Sequence, residues 1–259
     1  MRILFGFALS FALTACGGGG GGGGGNPTIT PPAVNQSVGG IWEGQDQAGD
    51  EIVGLVTEDG RFHFIDLFGQ GFGTASVTNG NQVSASYTYV ADLGTTFSDG
   101  STSASCTLSG TVVERQSLTV NSQCTSTAGN TTQMSVTLTY NPLYNRDASL
   151  ATIAGLYDDL GDVLTVSNDG VLFEQSASDG CVLNGQLSVV NSAYNAYDVQ
   201  FSISSCGAGL ATLNGTTWSG IATLDNTSSP EALIFGVVGD IPVSGGTATF
   251  ALVGLAERI

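Results

Sequence analysis

Short segments in which apolar and polar residues alternate fill the chain from about residue 38 to residue 259, separated by Gly, Asn and Asp. Val, Thr, Ile, Phe and Tyr are frequent in these segments, and none of the segments keeps a helical period. Alternation with a period of two places successive side chains on opposite faces of a β-strand. Because most segments are joined by only a few residues, neighbouring strands are expected to pair as hairpins. The sequence therefore predicts an all-β fold of small antiparallel barrels or sandwiches.

Four short motifs occur twice in the same order, which indicates an internal duplication. The number of residues that separates each motif from its match is nearly constant for the first three pairs and falls at the cysteine pair. The first repeat is therefore expected to carry one additional hairpin before its cysteine. Chance reuse of common turn sequences such as Asp-Gly is the alternative. The duplication predicts two tandem domains, at 38–147 and 148–259, with about eight strands each, including one at 209–213. The matched pairs are Gly40–Trp42 with Gly155–Tyr157, Gly49–Asp50 with Gly161–Asp162, Val56–Gly60 with Val166–Gly170, and Cys106–Gly110 with Cys181–Gly185.

Apart from Cys16, the chain has four cysteines, an even number that predicts two disulfides in an oxidising compartment. Four cysteines allow three pairings, and the local pattern favours Cys106–Cys124 and Cys181–Cys206. A hairpin that turns at 114–116 places Cys106 opposite Cys124, with the apolar residues of both arms on one face. The second hairpin turns near 191–196, but its alternation is out of step with Cys206, so a bulge is expected. Metal binding is disfavoured, because the chain has no C-x-x-C and a single histidine.

The N-terminal residues carry a targeting motif. Met1-Arg2 precedes an apolar run, Ile3–Ala12, which is shorter than the roughly 20 residues that a membrane-spanning helix needs. The run ends in Leu13-Thr14-Ala15-Cys16, which resembles a bacterial lipobox. The resemblance implies a signal peptide at 1–15 and acylation of Cys16, palmitate included, as the membrane anchor. An ordinary signal peptide followed by an unrelated cysteine is the alternative.

Nine consecutive glycines, Gly17–Gly25, follow the cysteine, and prolines follow the glycines. Because glycine loses the most backbone entropy on ordering, we expect a disordered Gly/Pro-rich tether over 16–37. Gly17 stands where the inner-membrane lipoproteins that the motif resembles carry an aspartate, so the resemblance implies the outer membrane. Poly-glycine at this place also resembles surface-displayed Gram-negative lipoproteins. Both the periplasmic face and the cell-surface face of the outer membrane stay open as the location of the protein.

The chain is strongly acidic, with a formal net charge of −17 and no lysine. Loss of the signal peptide, which contains Arg2, would leave −18. Such a charge is repelled by nucleic acid and by anionic lipid headgroups, so we expect no nucleic-acid partner and membrane contact only through the N-terminal lipid. A cation or a positively charged protein stays open as a partner. The alternative is that dispersed acidic residues merely keep an exported protein soluble.

The first matched motif indicates an architecture. Gly40-Ile41-Trp42 resembles the motif that opens lipocalin-type barrels. The resemblance implies that Trp42 closes the base of a barrel, and the duplication extends this expectation to Tyr157. Both are therefore candidate barrel-base residues.

Catalytic patterns are scarce in the sequence. His63, the single histidine, lies in an alternating segment that predicts an outward-facing residue on a strand surface. Acidic residues gather at the first turn of each domain, where carboxylates could bind Ca²⁺, although turn aspartates that accept backbone hydrogen bonds are commoner. The sequence predicts no cofactor and no catalytic residue. The weak calcium candidates are Asp46, Asp50, Asp158, Asp159 and Asp162.

These patterns favour a non-enzymatic, lipid-anchored envelope or surface lipoprotein that acts as an interaction or binding module. Two alternatives stay open: a carrier of a small apolar ligand in a barrel lumen, and an inhibitor of a cationic protein such as a lysozyme. A carrier requires an apolar cavity of several hundred Å³, whereas a filled core would leave no space for a ligand. The volume of each lumen therefore distinguishes a carrier from a purely structural barrel.

Overall fold

The computed structural model describes residues 34–259. The predicted signal peptide, the lipidation site Cys16 and the predicted tether up to residue 33 lie outside the described residues. Within the described part, no helix has the length and apolar character needed to cross a membrane. The expected all-β fold is confirmed, since two closed, eight-stranded antiparallel barrels follow each other along the chain.

Each barrel is an up-and-down ring in which strands that are consecutive in the sequence are hydrogen-bonded neighbours. Pairing of the first strand with the last closes each ring. A 3₁₀ helix at Pro142–Asn145 and the short helix α1 at Leu150–Ile153 connect the two barrels. The first barrel consists of β1 (Gly40–Gln45), β2 (Glu51–Val56), β3 (Arg61–Ile65), β4 (Gly69–Thr78), β5 (Gln82–Ala91), β6 (Ser103–Val113), β7 (Ser117–Ser126) and β8 (Thr131–Asn141). The second consists of β9 (Gly155–Asp159), β10 (Asp162–Val166), β11 (Val171–Gln175), β12 (Val182–Val189), β13 (Tyr197–Ser204), β14 (Thr217–Asp225), β15 (Ala232–Val243) and β16 (Gly246–Arg258).

The two rings differ in where their disulfide hairpin lies. Cys106 is on the sixth strand of the first barrel, whereas Cys181 directly precedes the fourth strand of the second. The additional hairpin expected in the first repeat is therefore β4–β5. The expectation of a strand at 209–213 is wrong, because Ala208–Leu213 forms a 3₁₀ segment between β13 and β14. Asn214 closes this segment as a loop, since its side chain bonds both backbone polar groups of Cys206.

Both expected disulfides are present, and each joins the two arms of one hairpin. Cys106 lies directly opposite Cys124 in the β6–β7 ladder, and the hairpin turns at residues 114–116. The bridge between Cys181 and Cys206 lies just outside the β12–β13 ladder, which ends at Ser204. No bulge restores the register there. Instead, Ser205 adopts a left-handed conformation with φ of 61°, which turns the chain so that Cys206 reaches its partner.

Inward-facing glycines make room for aromatic rings inside the first barrel. A β-carbon at Gly54 would lie 2.1 Å from the ring of Phe64, and one at Gly71 would lie 2.9 Å from the ring of Tyr87. Both distances are too short for a real side chain, so each ring lies flat across a wall position that only glycine allows. These rings, with Phe62 beneath them, divide the lumen into a packed lower part and an open upper part.

The end of each barrel at which its first strand begins, here called the base, is closed by an aromatic residue. Trp42 is fully buried and donates from Nε1 to the carbonyl of Val38 at 2.9 Å. Tyr157 is likewise fully buried, and its hydroxyl donates to the carbonyl of Ile153 at 2.6 Å. Each residue thus donates a hydrogen bond to the carbonyl of the fourth residue before it, and this bond is common to the two matched positions.

Residues 35–37, expected to belong to the tether, are bonded to the base of the first barrel. The side-chain amide of Asn35 donates to the carbonyl of Val77 at 2.8 Å, and the backbone N–H of Gln36 donates to the carbonyl of Gly80 at 2.7 Å. Ser37 donates from its hydroxyl to Glu58, which is in the β2–β3 turn of the same end. The chain before residue 34 is therefore attached at the base of the first barrel.

The two barrels belong to one compact unit and share a buried interface. His63, expected on a free strand surface, does point outward from β3, but that expectation is wrong about exposure, because the second barrel covers it. Its Nδ1 lies 2.8 Å from Oε1 of Gln70, and the Gln70 amide donates to the carbonyl of Leu252 on β16 at 3.0 Å. Arg61 bonds Asp198 across the same interface. An apolar cluster completes the contact: Ile41, Leu55, Leu143, Tyr144, Ala196 and Ile221.

Candidate ligand-binding cup

The first barrel is open at the end opposite its base, here called the mouth. The mouth is formed by the turns at 46–50, 66–68 and 127–130 and by the longer loop at 92–102. A cavity of about 790 Å³, here called the cup, extends from the mouth into the lumen. All four connections contribute to its lining, together with inward-facing residues of β5, β6, β7 and β8.

The floor of the cup is formed by Tyr87, Ser122 and the Cys106–Cys124 disulfide. The hydroxyls of Tyr87 and Ser122 are hydrogen-bonded to each other, and the Tyr87 ring packs edge-on against Phe62 at 5.7 Å. Deeper in the lumen, the side chains leave a void of only about 40 Å³. The cup therefore ends at the level of the disulfide, within four residues of the mouth ends of β6 and β7.

An aromatic wall rises from this floor. The ring of Phe97, from the 92–102 loop, stacks on Tyr89 of β5 with centroids 5.4 Å apart and planes inclined by 21°. The Tyr89 hydroxyl donates to Oδ1 of Asp66 at 2.6 Å. Burial and the nearby Asp66 carboxylate both raise the pKa of Tyr89, so this phenol stays protonated as a donor. At the tip of the β3–β4 turn, the side chains of Leu67 and Phe68 are 70% and 58% exposed and form an apolar lip.

Three of the aspartates at the mouth line the cup, and each accepts hydrogen bonds from uncharged donors. Oδ1 of Asp46 accepts from two backbone amides of its own turn, and Oδ1 of Asp66 accepts from two amides and Tyr89. Asp99 accepts from Ser101, Ser126 and Asn130. The hydrogen bond from Ser101 has the largest effect, and together these bonds hold the pKa of Asp99 below its ordinary value. The Asp99 carboxyl is therefore ionised at neutral pH. The mouth is therefore negatively charged.

The second barrel holds the mouth loop of the first in place. The backbone N–H of Leu93 donates to the carbonyl of Ala251 on β16 at 2.9 Å, and its side chain packs on the core of the second barrel. Within the loop, the N–H of Phe97 donates to the carbonyl of Ser101 at 2.8 Å. The aromatic wall is therefore supported from outside the first barrel.

The lumen of the second barrel is filled. Leucine, valine and phenylalanine side chains from its strands leave a void of only about 10 Å³. Phe201 and Phe235 meet edge to face at 6.3 Å, and Trp218 beside them is fully buried. The two repeats thus share a topology but differ in whether their lumen can accept a ligand.

Acidic residues of the second barrel meet at the end opposite its base. Asp159 and Glu174 are half-buried neighbours, and Oε2 of Glu174 is buried without a hydrogen-bond partner among the described residues. Burial and the neighbouring Asp159 raise the pKa of Glu174 to about 7, and burial raises the pKa of Asp159 as well. The pair therefore holds a proton near neutral pH. Glu174 was not singled out from the sequence, because its inward orientation depends on the register of β11 against β12.

The calcium candidates do not assemble into a common site. Asp46 caps its own turn through the amides of Ala48 and Asp50, and Asp158 accepts from the amide of Gly161. Asp162 accepts from the amide of Ala177 instead. Across residues 34–259, no group of three or more His, Cys, Asp or Glu residues is arranged to hold a metal ion. Asp46 and Asp158 thus have the turn-capping role that was the alternative, whereas Asp162 bonds a residue outside its own turn.

Comparison with known proteins adds no further assignment. No protein-family model matches the chain, and no curated protein matches it significantly. The case for the cup depends on its geometry alone. Its central residues, Tyr89, Phe97, Asp66 and Asp99, were not singled out from the sequence, although the additional hairpin expected in the first repeat supplies one of its walls.

Proposed function

We propose that this chain is a non-enzymatic, lipid-anchored lipoprotein of the outer membrane whose first barrel binds a small, largely apolar ligand in the cup. The observation that carries the proposal is the cavity of about 790 Å³. Small-molecule sites are typically of about 300–1,000 Å³ and combine apolar walls with a few polar groups. The cup has this composition, with Tyr89, Phe97 and Met134 beside Ser122 and Asn130. Among the functions considered, the geometry favours the carrier over a purely structural module.

The position of the chain's attachment point is consistent with this function. Residue 34 lies at the base of the first barrel, where Asn35 and Gln36 are bonded, and the mouth is at the other end. In the proposal, Cys16 carries the lipid and the glycine-rich segment links it to the base. The mouth would then face away from the point of attachment, accessible to a ligand from the periplasm or from the cell surface. The second barrel serves as a filled support that holds the mouth loop in place.

The test uses the lipid-free chain, residues 17–259, and the neutral fluorescent probe N-phenyl-1-naphthylamine. We expect binding of one probe per chain. Ala104→Phe, which adds a ring at an inward-facing position of the cup wall, should weaken binding by about tenfold or more, because it occupies ligand space. Thr139→Phe, at an exposed position of β8, is the matched control and should leave the affinity unchanged.

Circular dichroism of each variant would verify that the barrel is folded. Absence of probe binding to the folded chain, or equal affinities for Ala104→Phe and the parent chain, would refute the ligand-binding function. The inhibitor hypothesis stays a separate prediction, and binding of the chain to a lysozyme would test it directly.

A further inference from the structure

We infer that the cup selects amphiphiles with a cationic head group and discriminates against anionic ones. The inference rests on the proposed ligand-binding function and adds the chemical class of the ligand. It follows from three observations: the negative charge of the mouth has no cationic partner among residues 34–259, the four arginines in that range lie elsewhere, and ring faces line the cavity.

The carboxylates of the mouth have no cationic partner among the described residues. The groups that donate to Asp46, Asp66 and Asp99 are backbone amides, hydroxyls and one asparagine amide, none of which carries a charge. In contrast, Asp59 and Asp198 share Arg61 in two ion pairs at 3.0 and 2.6 Å. A carboxylate that is hydrogen-bonded only by neutral groups keeps its full negative charge, so the mouth attracts cations.

The basic residues of the described chain lie at the interface and at the bases of the barrels. Arg61 begins β3 at the base, and Arg115 is in the β6–β7 turn, also at the base, over the ring of Tyr194. Arg146 follows the connecting 3₁₀ helix, and Arg258 ends β16 beside Glu231 and Tyr157. The sequence has no lysine, and none of the basic residues within the described part of the chain lines the cup. An anionic head group would therefore meet only like charges there.

The interior of the cup offers the complementary surface for an alkyl chain and an onium group. The rings of Tyr89 and Phe97 are stacked on each other in the cup wall. Because the Tyr89 hydroxyl already donates to Asp66, a ligand would contact these residues through their ring faces. An ammonium group above an aromatic face is attracted by the negative potential of the ring. Phe68, on the exposed lip, adds a third ring at the mouth. Charge and ring faces thus favour the same class of head group.

The test compares three probes with twelve-carbon chains: dodecyltrimethylammonium, dodecyldimethylamine oxide and dodecanoate. Each is titrated below its micelle concentration against the lipid-free chain loaded with N-phenyl-1-naphthylamine, at pH 7.5 and low salt. We expect the ammonium probe to displace the dye at concentrations about tenfold lower than dodecanoate, with the neutral probe between them. Because salt screens exposed charges, this gap should narrow at an ionic strength of about 0.3 M.

Two substitutions remove charge while keeping the turns intact. Every hydrogen bond that Asp46 and Asp66 accept goes to Oδ1, an atom that asparagine also has. The double variant Asp46→Asn/Asp66→Asn should lose about five- to tenfold affinity for the ammonium probe and none for the neutral probe. Asp169→Asn, in the base turn of the second barrel, removes the same kind of charge away from the cup and should change neither affinity.

The outcomes separate the two proposals. If the folded chain binds neither the dye nor any of the three probes, the ligand-binding function fails. If the dye binds and none of the three probes displaces it, the charge selection is overturned. If all three bind with equal affinity, or dodecanoate binds best, the function stands and the charge selection is overturned. Retention of the full ammonium preference in the double variant would overturn the role of the mouth aspartates as its source.

Discussion

The buried amide of Gln70 links the two barrels, and its removal should destabilise the whole molecule. The side chain is fully buried although it points outward from β4, because the second barrel covers it. Its Oε1 lies 2.8 Å from Nδ1 of His63, and its Nε2 donates to the carbonyl of Leu252 at 3.0 Å. Gln70→Ala would leave Nδ1 of His63 and the carbonyl oxygen of Leu252 without this hydrogen-bond partner inside the interface.

The expected loss follows from the two hydrogen bonds. An unpaired buried polar group costs about 1–3 kcal/mol, and the truncated side chain also leaves unfilled volume beside Gly236. Burial lowers the pKa of His63, so its ring is neutral at pH 7.5. The cost of leaving His63 unpaired is therefore the cost for a neutral donor and not for a charged one. We therefore expect Gln70→Ala to lower the free energy of unfolding by about 3–5 kcal/mol.

The assay is urea unfolding at pH 7.5, followed by circular dichroism and by tryptophan fluorescence. Trp42 and Trp218 are fully buried in different barrels, so fluorescence responds to both. Gln123→Ala, at an exposed position of β7, is the matched control and should change the stability by less than about 0.5 kcal/mol. A loss below about 1 kcal/mol for Gln70→Ala, or an equal loss in the control, would refute the coupling of the barrels through this amide.

Cys16→Ser should move the protein from the membrane fraction into a soluble or unprocessed form, and an unchanged outer-membrane distribution would contradict lipid anchoring. Replacement of Cys181 and Cys206 by alanine should cost about 3 kcal/mol in urea unfolding, because their bridge closes a loop of 25 positions; unchanged stability would contradict this. Burial raises the pKa of Glu174 to about 7 in the folded state, whereas its ordinary value is 4.5. The folded protein therefore keeps a proton that the unfolded chain has lost between these pH values. The contribution of Glu174 to the free energy of unfolding should accordingly decrease as the pH rises from 4.5 to 7. Allowing for its half-exposure, this decrease should be about 1–2 kcal/mol, and Glu174→Gln should remove it from the pH profile of stability; an unaltered profile would contradict the assignment.

The hairpin around Cys106 and Cys124 shows how far local sequence pattern extends. Its turn, its register and its disulfide all follow from alternation along two arms of one short segment, since each residue's face is decided by its distance from the turn. The matched positions Trp42 and Tyr157 were found in the same way, from motifs repeated within a few residues. The Cys181–Cys206 hairpin was predicted less completely, because the left-handed conformation of Ser205 has no signature in the alternation.

The sequence by itself determined the all-β class, the duplication and the disulfide pairing, because these depend on period-two alternation and on residues close together in the chain. Only the tertiary structure decided that His63 is covered, that Glu174 lies beside Asp159, and that one lumen is open while the other is filled. His63 is covered only because a second barrel packs on the outward face of β3. The volume of each lumen depends on side chains from eight strands that meet in its centre. In the first barrel, rings lying over inward glycines fill the lower lumen and leave the cup above them. Such contacts join residues far apart in sequence, so no local pattern records them.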